Sequence, residues 1–341
     1  MTPIKFMAAA ALFVLVGCVA APAYRGEPLP NFDGRLFVNT TPMNKSPMDL
    51  MKLGWGTLTR AADWPEWVEI EPKKVPRAES GIAVTYINHS TLLIQVDGLN
   101  ILTDPIYSKR ASPFQWAGPE RVHAPGVTMA DLPDIDVILI SHNHYDHLDS
   151  ETLIQLAARQ SREPLILAGL GNSLLFDSLG LTNHRDLNWN ESFDLGAFTF
   201  TFAECRHRSG RGISDQMKTL WGSFVIETPS GNIYFAGDTG FDQHFAEAGR
   251  TFGEFALALL PIGAYEPRWF MADVHLNPAE AVRAHKALNS RQSVAIHYGT
   301  FQLTYENIDQ PVMDLATELA EQNVDENEFW VFDVGETRFV H

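Results

Sequence analysis

The apolar positions along the chain change their pattern at residue 82. From Ile82 to Val96 β-branched and apolar residues dominate, Asp97-Gly98 has the residue types of a tight hairpin turn, and Leu99 to Thr103 resumes the run. Short apolar runs then recur at Val137 to Ile140, Leu165 to Ala168, Phe198 to Phe202, Phe224 to Ile226, Ile233 to Ala236, Leu257 to Leu260 and Val294 to Ile296. Each has the length of a buried strand. Ser150 to Arg159 and Pro278 to Leu288 carry helical spacing instead, with Asn277 or Pro278 suited to a helix start. Strands and helices interleave, which predicts one α/β domain over residues 81–341 with sheet layers covered by helices. Residues 19–80 are rich in Pro, Asn and scattered aromatics without sustained period. They predict a tether and an irregular N-terminal wrap, with one helix near Met48 to Arg60.

Residues 1–18 read as an export signal: Lys5 supplies the positive start, Phe6 to Val16 the apolar run, and Leu15-Val16-Gly17-Cys18 resembles a bacterial lipobox. On this reading Cys18 becomes the lipid-bearing mature N-terminus, and the protein is anchored in the cell envelope. Val19 favours the outer membrane in a host that has two. An uncleaved anchor is the alternative, although the apolar run is shorter than the roughly 20 residues of a spanning helix. Cys205 is the other cysteine, so no disulfide framework can be built within the chain once Cys18 is lipidated.

The 341 residues are 45% apolar, enough for a large core. Formal net charge is −17, and it becomes −18 without residues 1–17, whose one charge is Lys5. Such a surface repels a phosphate backbone and excludes nucleic acid as the expected partner, although bound metal reverses the sign locally. Nothing in the sequence sets the oligomeric state.

The chemistry concentrates in Ser141-His142-Asn143-His144-Tyr145-Asp146-His147-Leu148-Asp149, directly after an apolar strand. In an extended segment His142 and His144 project to one side, while a turn after Tyr145 aims Asp146 and His147 at a second point. A helical H-E-x-x-H site is excluded because its glutamate and its i, i+4 spacing are missing. Three further strand ends offer ligands: His207, Asp238 and His297. Asp238 is the natural bridge, leaving His142, His144 and His207 for one cation and Asp146, His147 and His297 for the other. Imidazole and carboxylate donors suit two Zn²⁺ ions, with iron or manganese as alternatives. Hydroxide bridging such a pair is a nucleophile near neutral pH.

The pattern H-x-H-x-D-H, a later His, a G-D-T-G aspartate and a final A-I-H histidine resembles the metallo-β-lactamase superfamily. The resemblance implies an αβ/βα four-layer sandwich and a dinuclear metal-dependent hydrolase. Longer strings are similar to the N-acyl-phosphatidylethanolamine-hydrolysing phospholipase D group: Leu102-Thr103-Asp104-Pro105, SKRASP at 108–113, SHNHYDHLD at 141–149, LWGS at 220–223, FAGDTG at 235–240, PIGAYEPRWFM at 261–271 and AIHYGTF at 295–301. That likeness implies a phosphodiesterase releasing N-acylethanolamine and phosphatidic acid at a membrane, and it makes His275 a residue near the site that orients substrate or assists proton transfer. A loop histidine bonded to backbone is the alternative for His275. The first 80 residues show no match.

Several residues carry two readings. Asp104 either accepts a proton from a ligand imidazole, with His89 joining it, or forms the turn before Pro105. Cys205 either reaches a metal or is a buried free thiol. Asp242 is a weaker supporting candidate. His123, His184, His244, His285 and His341 fall outside any ligand pattern. Met43, Met48, Leu50, Leu53, Trp55, Leu58, Trp64 and Trp67 either line a lipid trough or pack the wrap onto the domain. Glu266 and Arg268 hold structure or a headgroup. Competing functions are a lactonase or amidase of the ascorbate-phosphate lactonase-like group, and a noncatalytic scaffold, which predicts an incomplete ligand set.

Overall fold

A computed structural model describes residues 20–43, 45, 48, 49, 52, 62–78 and 80–340. Strands β1 (Ile82–Asn88), β2 (Thr91–Val96), β3 (Leu99–Thr103), β4 (Val137–Ile140), β5 (Leu165–Gly169) and β6 (His184–Leu187) form one sheet. Strands β7 (Glu191–Leu195), β8 (Phe198–Ala203), β9 (Ser223–Glu227), β10 (Asn232–Phe235), β11 (Phe255–Pro261), β12 (Ser293–Ile296) and β13 (Phe329–Trp330) form a second, and β14 (Thr337–Val340) returns to the β1 edge of the first. Helices are α1 (Ser150–Arg159), α2 (Ser173–Ser178), α3 (His244–Phe252), α4 (Arg268–Met271), α5 (Pro278–Ala287) and α6 (Gln310–Glu321).

Alternation along each strand builds the layers. On β4, Val137 and Leu139 face the second sheet while Ile138 and Ile140 face helices; on β11, Leu257 and Leu259 face the first sheet while Ala258 and Leu260 turn outward. The outer faces are covered by Leu153 and Leu156 of α1 and Phe176 of α2 on one side. Phe245 of α3, Val282 of α5 and Leu315 of α6 cover the other. Both faces of the central strands are therefore apolar, and those strands read as continuous runs. The result is the expected αβ/βα sandwich of a metallo-β-lactamase fold. Helix α5 carries a capping box between Asn277 and Glu280 with Pro278 in its first turn.

The structure differs from the sequence expectation in its first strand. The stretch read as continuous from Ile82 breaks at His89-Ser90, because His89 adopts a left-handed conformation (φ 49°). Part of residues 20–43 packs onto the domain as a wrap: Phe32 and Phe37 are fully buried between the sheets, their rings 4.7 Å apart. The core thus begins well before residue 81. Met48, Asp49 and Lys52 are helical, while the rest of the expected helix, together with Cys18, Leu50, Leu53, Trp55, Leu58 and His341, lies outside the described residues. No described helix is long and apolar enough to cross a membrane.

Candidate metal centre

The site forms along one edge of the sandwich, where strands of both sheets end. Strands β3, β4 and β5 are parallel, with Thr103 opposite Leu139, so Asp104 lies beside the loop that begins at Ser141. Strands β10, β11 and β12 are also parallel, which brings the loops carrying Asp238 and His297 to one end. His89, from the first sheet, accepts a backbone hydrogen bond from His297 of the second at 2.9 Å, joining the sheets at the site. His89, Asp104 and His297 all have positive φ (49°, 32° and 60°). Such backbone conformations in non-glycine residues recur at functional sites.

Two donor groups result. His142, His144 and His207 converge, with 2.8 Å between His142 Nε2 and His144 Nδ1 and 3.4 Å between His144 Nδ1 and His207 Nε2. Asp146, His147 and His297 form the other group, joined by His89; Asp146 Oδ2 is 3.4 Å from Nε2 of both His147 and His297 and 3.2 Å from Nε2 of His89. Asp238 lies between them: Oδ1 is 3.2 Å from His297 Nε2, and Oδ2 is 3.2 Å from His147 Nε2, 3.8 Å from His207 Nε2 and 3.9 Å from His142 Nε2. His275 Nδ1 is 3.8 Å from the same Oδ2, and its ring neighbours those of His207 and His297. His275 therefore lies beside the donor groups.

The donor set fits divalent cations. Nε2 of His147, Nε2 of His297, Nδ1 of His275 and Oδ1 of Asp238 are buried without a hydrogen-bond partner among the described residues. Leaving such a group unsatisfied costs about 1–3 kcal/mol, which a coordinate bond removes. Burial favours the neutral acids, yet the imidazoles of His147 and its neighbours hold Asp146 and Asp238 well below the usual carboxylate range. Burial likewise favours neutral imidazole, but the carboxylate of Asp238 outweighs it at His147, pushed well up, and at His297, pushed to about 9. The carboxylates thus favour positive charge at that point. His142 is held well down, and His144, His207, His275 and His89 are lowered to about 3, by burial first and then by like charge at most of them. Neutral imidazoles of this kind are the metal-binding form.

Outer contacts fix which nitrogen each ring presents. His147 Nδ1 donates to Asp104 Oδ2 at 2.6 Å, and His207 Nδ1 donates to the Val274 carbonyl at 2.9 Å, leaving each Nε2 lone pair directed inward. Ser141 Oγ donates to the same Asp104 oxygen at 2.5 Å and accepts from His142 Nδ1 at 3.0 Å. Asp104 therefore orients His147 directly and His142 through Ser141. His89 acts differently from the expectation: it meets Asp146 instead of joining Asp104. The sequence reading gave no role to Ser141, to the Val274 carbonyl, or to Arg211, which donates to the carbonyls of Asn143 (3.2 Å) and Leu148 (2.7 Å) and so holds the ligand loop. Apart from the Ser141–His142 bond, these contacts are long-range and leave no local pattern.

Cys205 does not reach the metal donors. It is buried, its Sγ donates to the Asp238 carbonyl at 3.5 Å, and burial pushes its thiol pKa up, so it is a structural thiol. Asp242 lies 3.7 Å from Arg206 and joins neither donor group. His123 bonds Thr300, His285 bonds Ser293, His184 meets Asp177, and His244 meets Thr239. Arg268 donates to the His275 carbonyl at 2.9 Å and to Glu280 at 2.8 Å, while its backbone N–H meets Glu266. Glu266 and Arg268 thus brace the His275 loop. Met48 and Trp67 are exposed, and the Trp64 indole donates to the Glu306 carbonyl at 2.9 Å.

Residues 99–298 match the family model described as the beta-lactamase superfamily domain. The chain is 38% identical over 309 residues to an uncharacterized protein of Mycobacterium tuberculosis, spanning 87% of this chain and 82% of that one. It is 36% identical over 271 residues to N-acyl-phosphatidylethanolamine-hydrolyzing phospholipase D 1 of Caenorhabditis elegans, spanning 76% of each. In fold it is similar to the isothiocyanate hydrolase from Delia radicum gut bacteria, with a TM-score of 0.59 and 20% identity over 76% of this chain and 100% of that one.

Proposed function

The chain belongs to the metallo-β-lactamase superfamily as a metal-dependent hydrolase, and from that premise we propose that it hydrolyses N-acyl-phosphatidylethanolamine-type phospholipids to N-acylethanolamine and phosphatidic acid. The observation that carries the substrate class is its 36% identity to the C. elegans phospholipase D across three quarters of both chains. Two zinc ions are the proposed cofactors, one held by His142, His144 and His207 and the other by Asp146, His147 and His297, with Asp238 shared. When bound, such cations supply Lewis acidity toward a phosphoryl oxygen and acidify water near neutral pH.

The chain's own residues prepare this chemistry. Asp104 and Val274 hold His147 and His207 as Nε2 donors, while Asp238 points Oδ1 at His297 and Oδ2 at His147, with the same Oδ2 3.8 Å from His207 and 3.9 Å from His142. His275 is kept neutral by burial, so its Nδ1 is suited to hydrogen-bond a substrate oxygen, and Arg268 fixes the loop that presents it. The lipobox-like sequence ending at Cys18 supports an envelope location in which the lipid anchor brings the enzyme to its substrate.

The test is turnover of purified, metal-loaded protein on N-acyl-phosphatidylethanolamine, with the products read by mass spectrometry beside a lactone and amide panel. Release of N-acylethanolamine and phosphatidic acid is expected. Lactone turnover alone would remove the phospholipase assignment in favour of the lactonase reading.

A further inference from the structure

Three arginines stand close to His207 in the chain, and two are already engaged. Arg206 donates to Asp273 at 2.8 Å, and Arg211 donates to two loop carbonyls and lies 3.9 Å over the Tyr145 ring. Arg208 is half-buried and makes no hydrogen bond, ion pair or ring contact among the described residues. Its nitrogens are not among the buried, partnerless atoms, so the guanidinium keeps contact with solvent. No carboxylate pairs with it among the described residues. A half-buried guanidinium with no protein partner keeps its donors available to an anionic ligand.

The segment around Arg208 is fastened to the metal centre on both sides. Arg206 forms a backbone bridge with Gly240, two residues after Asp238. The Gly210 N–H donates at 2.7 Å to the Asn143 side chain, and Asn143 lies between His142 and His144. Arg208 thus directly follows the donor His207 on a segment held against the metal centre. Its charge is felt there, adding to burial in lowering both His144 and His207. On a chain of net charge −17, which repels anions at long range, an unpaired guanidinium next to a donor histidine offers a local point of attraction.

We propose that Arg208 holds a phosphate oxygen of the substrate next to the His142, His144 and His207 donors and is a specificity-determining residue for anionic substrates. This rests on the phosphodiester reading. Arginine suits the task because its planar fork pairs with two phosphate oxygens at once.

The metal-loaded full-length protein is compared with its Arg208→Gln and Arg208→Lys variants. Readouts are metal content, KM and kcat on N-acyl-phosphatidylethanolamine and on a neutral lactone, and the dissociation constant of inorganic phosphate by calorimetric titration. Arg208→Gln is expected to raise the phospholipid KM and the phosphate Kd by about ten- to a hundredfold, the weight of one charge-assisted hydrogen bond. Metal content, phospholipid kcat and lactone kinetics should stay within a few-fold, and Arg208→Lys should recover part of the loss. An unchanged phosphate Kd would mean that the cations alone hold the anion, and it would overturn the proposal. So would lost metal, or equal losses on phospholipid and lactone. A weakened phosphate Kd with unchanged phospholipid KM would mark free phosphate as the ligand and overturn the substrate assignment. If the wild type turns over lactones only, the phosphodiester reading fails, while a phosphate Kd that depends on Arg208 still sustains the anion subsite.

Discussion

Replacing Asp104 by asparagine alters charge and hydrogen-bonding sense at the base of the metal centre while preserving shape. Asparagine tolerates the left-handed backbone at this position (φ 32°), so the loop keeps its course. In the wild type, Asp104 accepts from His147 Nδ1 at 2.6 Å, from Ser141 Oγ at 2.5 Å and from the Ser141 N–H at 2.8 Å. An amide oxygen can continue to serve the Ser141 N–H. Its NH₂ must then face His147 Nδ1, which can accept only by moving the ring proton to Nε2, the atom 3.2 Å from Asp238. The lone pair that binds metal is lost in that tautomer. Ser141 Oγ also loses its acceptor, which loosens the orientation of His142. Loss of one supporting partner costs about ten- to a hundredfold in metal affinity, or roughly 1.4–2.8 kcal/mol. Competition against a chromophoric chelator measures it directly, with far-UV circular dichroism confirming the fold. Wild-type affinity in Asp104→Asn would refute the claim that this carboxylate sets the tautomers of His147 and His142.

Other substitutions probe the same architecture. Gly237→Ala would place a Cβ 2.4 Å from the Ser141 Cβ, in a left-handed conformation (φ 59°) just before Asp238; a loss of about 1–3 kcal/mol in denaturant unfolding, together with lower metal occupancy, is expected. Cys205→Ala should leave metal content unchanged, because the thiol bonds a carbonyl and no cation; loss of metal by mass spectrometry would reverse that conclusion. His244 is lowered to about 4, by burial first and then by Arg206. Between its unfolded value near 6.5 and about 4 the unfolded chain binds the extra proton, so stability falls as pH drops through that window. Melting temperature should therefore decline from pH 7 to pH 4.5, less steeply in His244→Gln; equal slopes would remove His244 as the cause.

Much of the fold was legible because both sheets are covered on both faces, so strands such as Val137–Ile140 and Val294–Ile296 stand out as unbroken apolar runs. The first metal loop was legible because four donors fall within six positions. Strands β6 and β7 were not, since their half-exposed side chains blur the signal. Helix α6 was missed as well, because its buried Leu315 and Leu319 are diluted by Asp, Thr and Glu. The burial of Phe32 and Phe37 is set by contacts far along the chain, with no local period to announce it. The same holds at the site: His89 leaves its strand to give its carbonyl to His297, more than 200 residues away, and Arg208 is distinguished by a partner it lacks.

The centre draws its donors from both sheets, the last of them at His297 at the end of β12. No amino-terminal portion of the chain that stops short of β12 can assemble it. During biosynthesis the full donor set therefore cannot form until most of the polypeptide has emerged and the two halves have met. Its presence would set a finished molecule apart from one arrested partway.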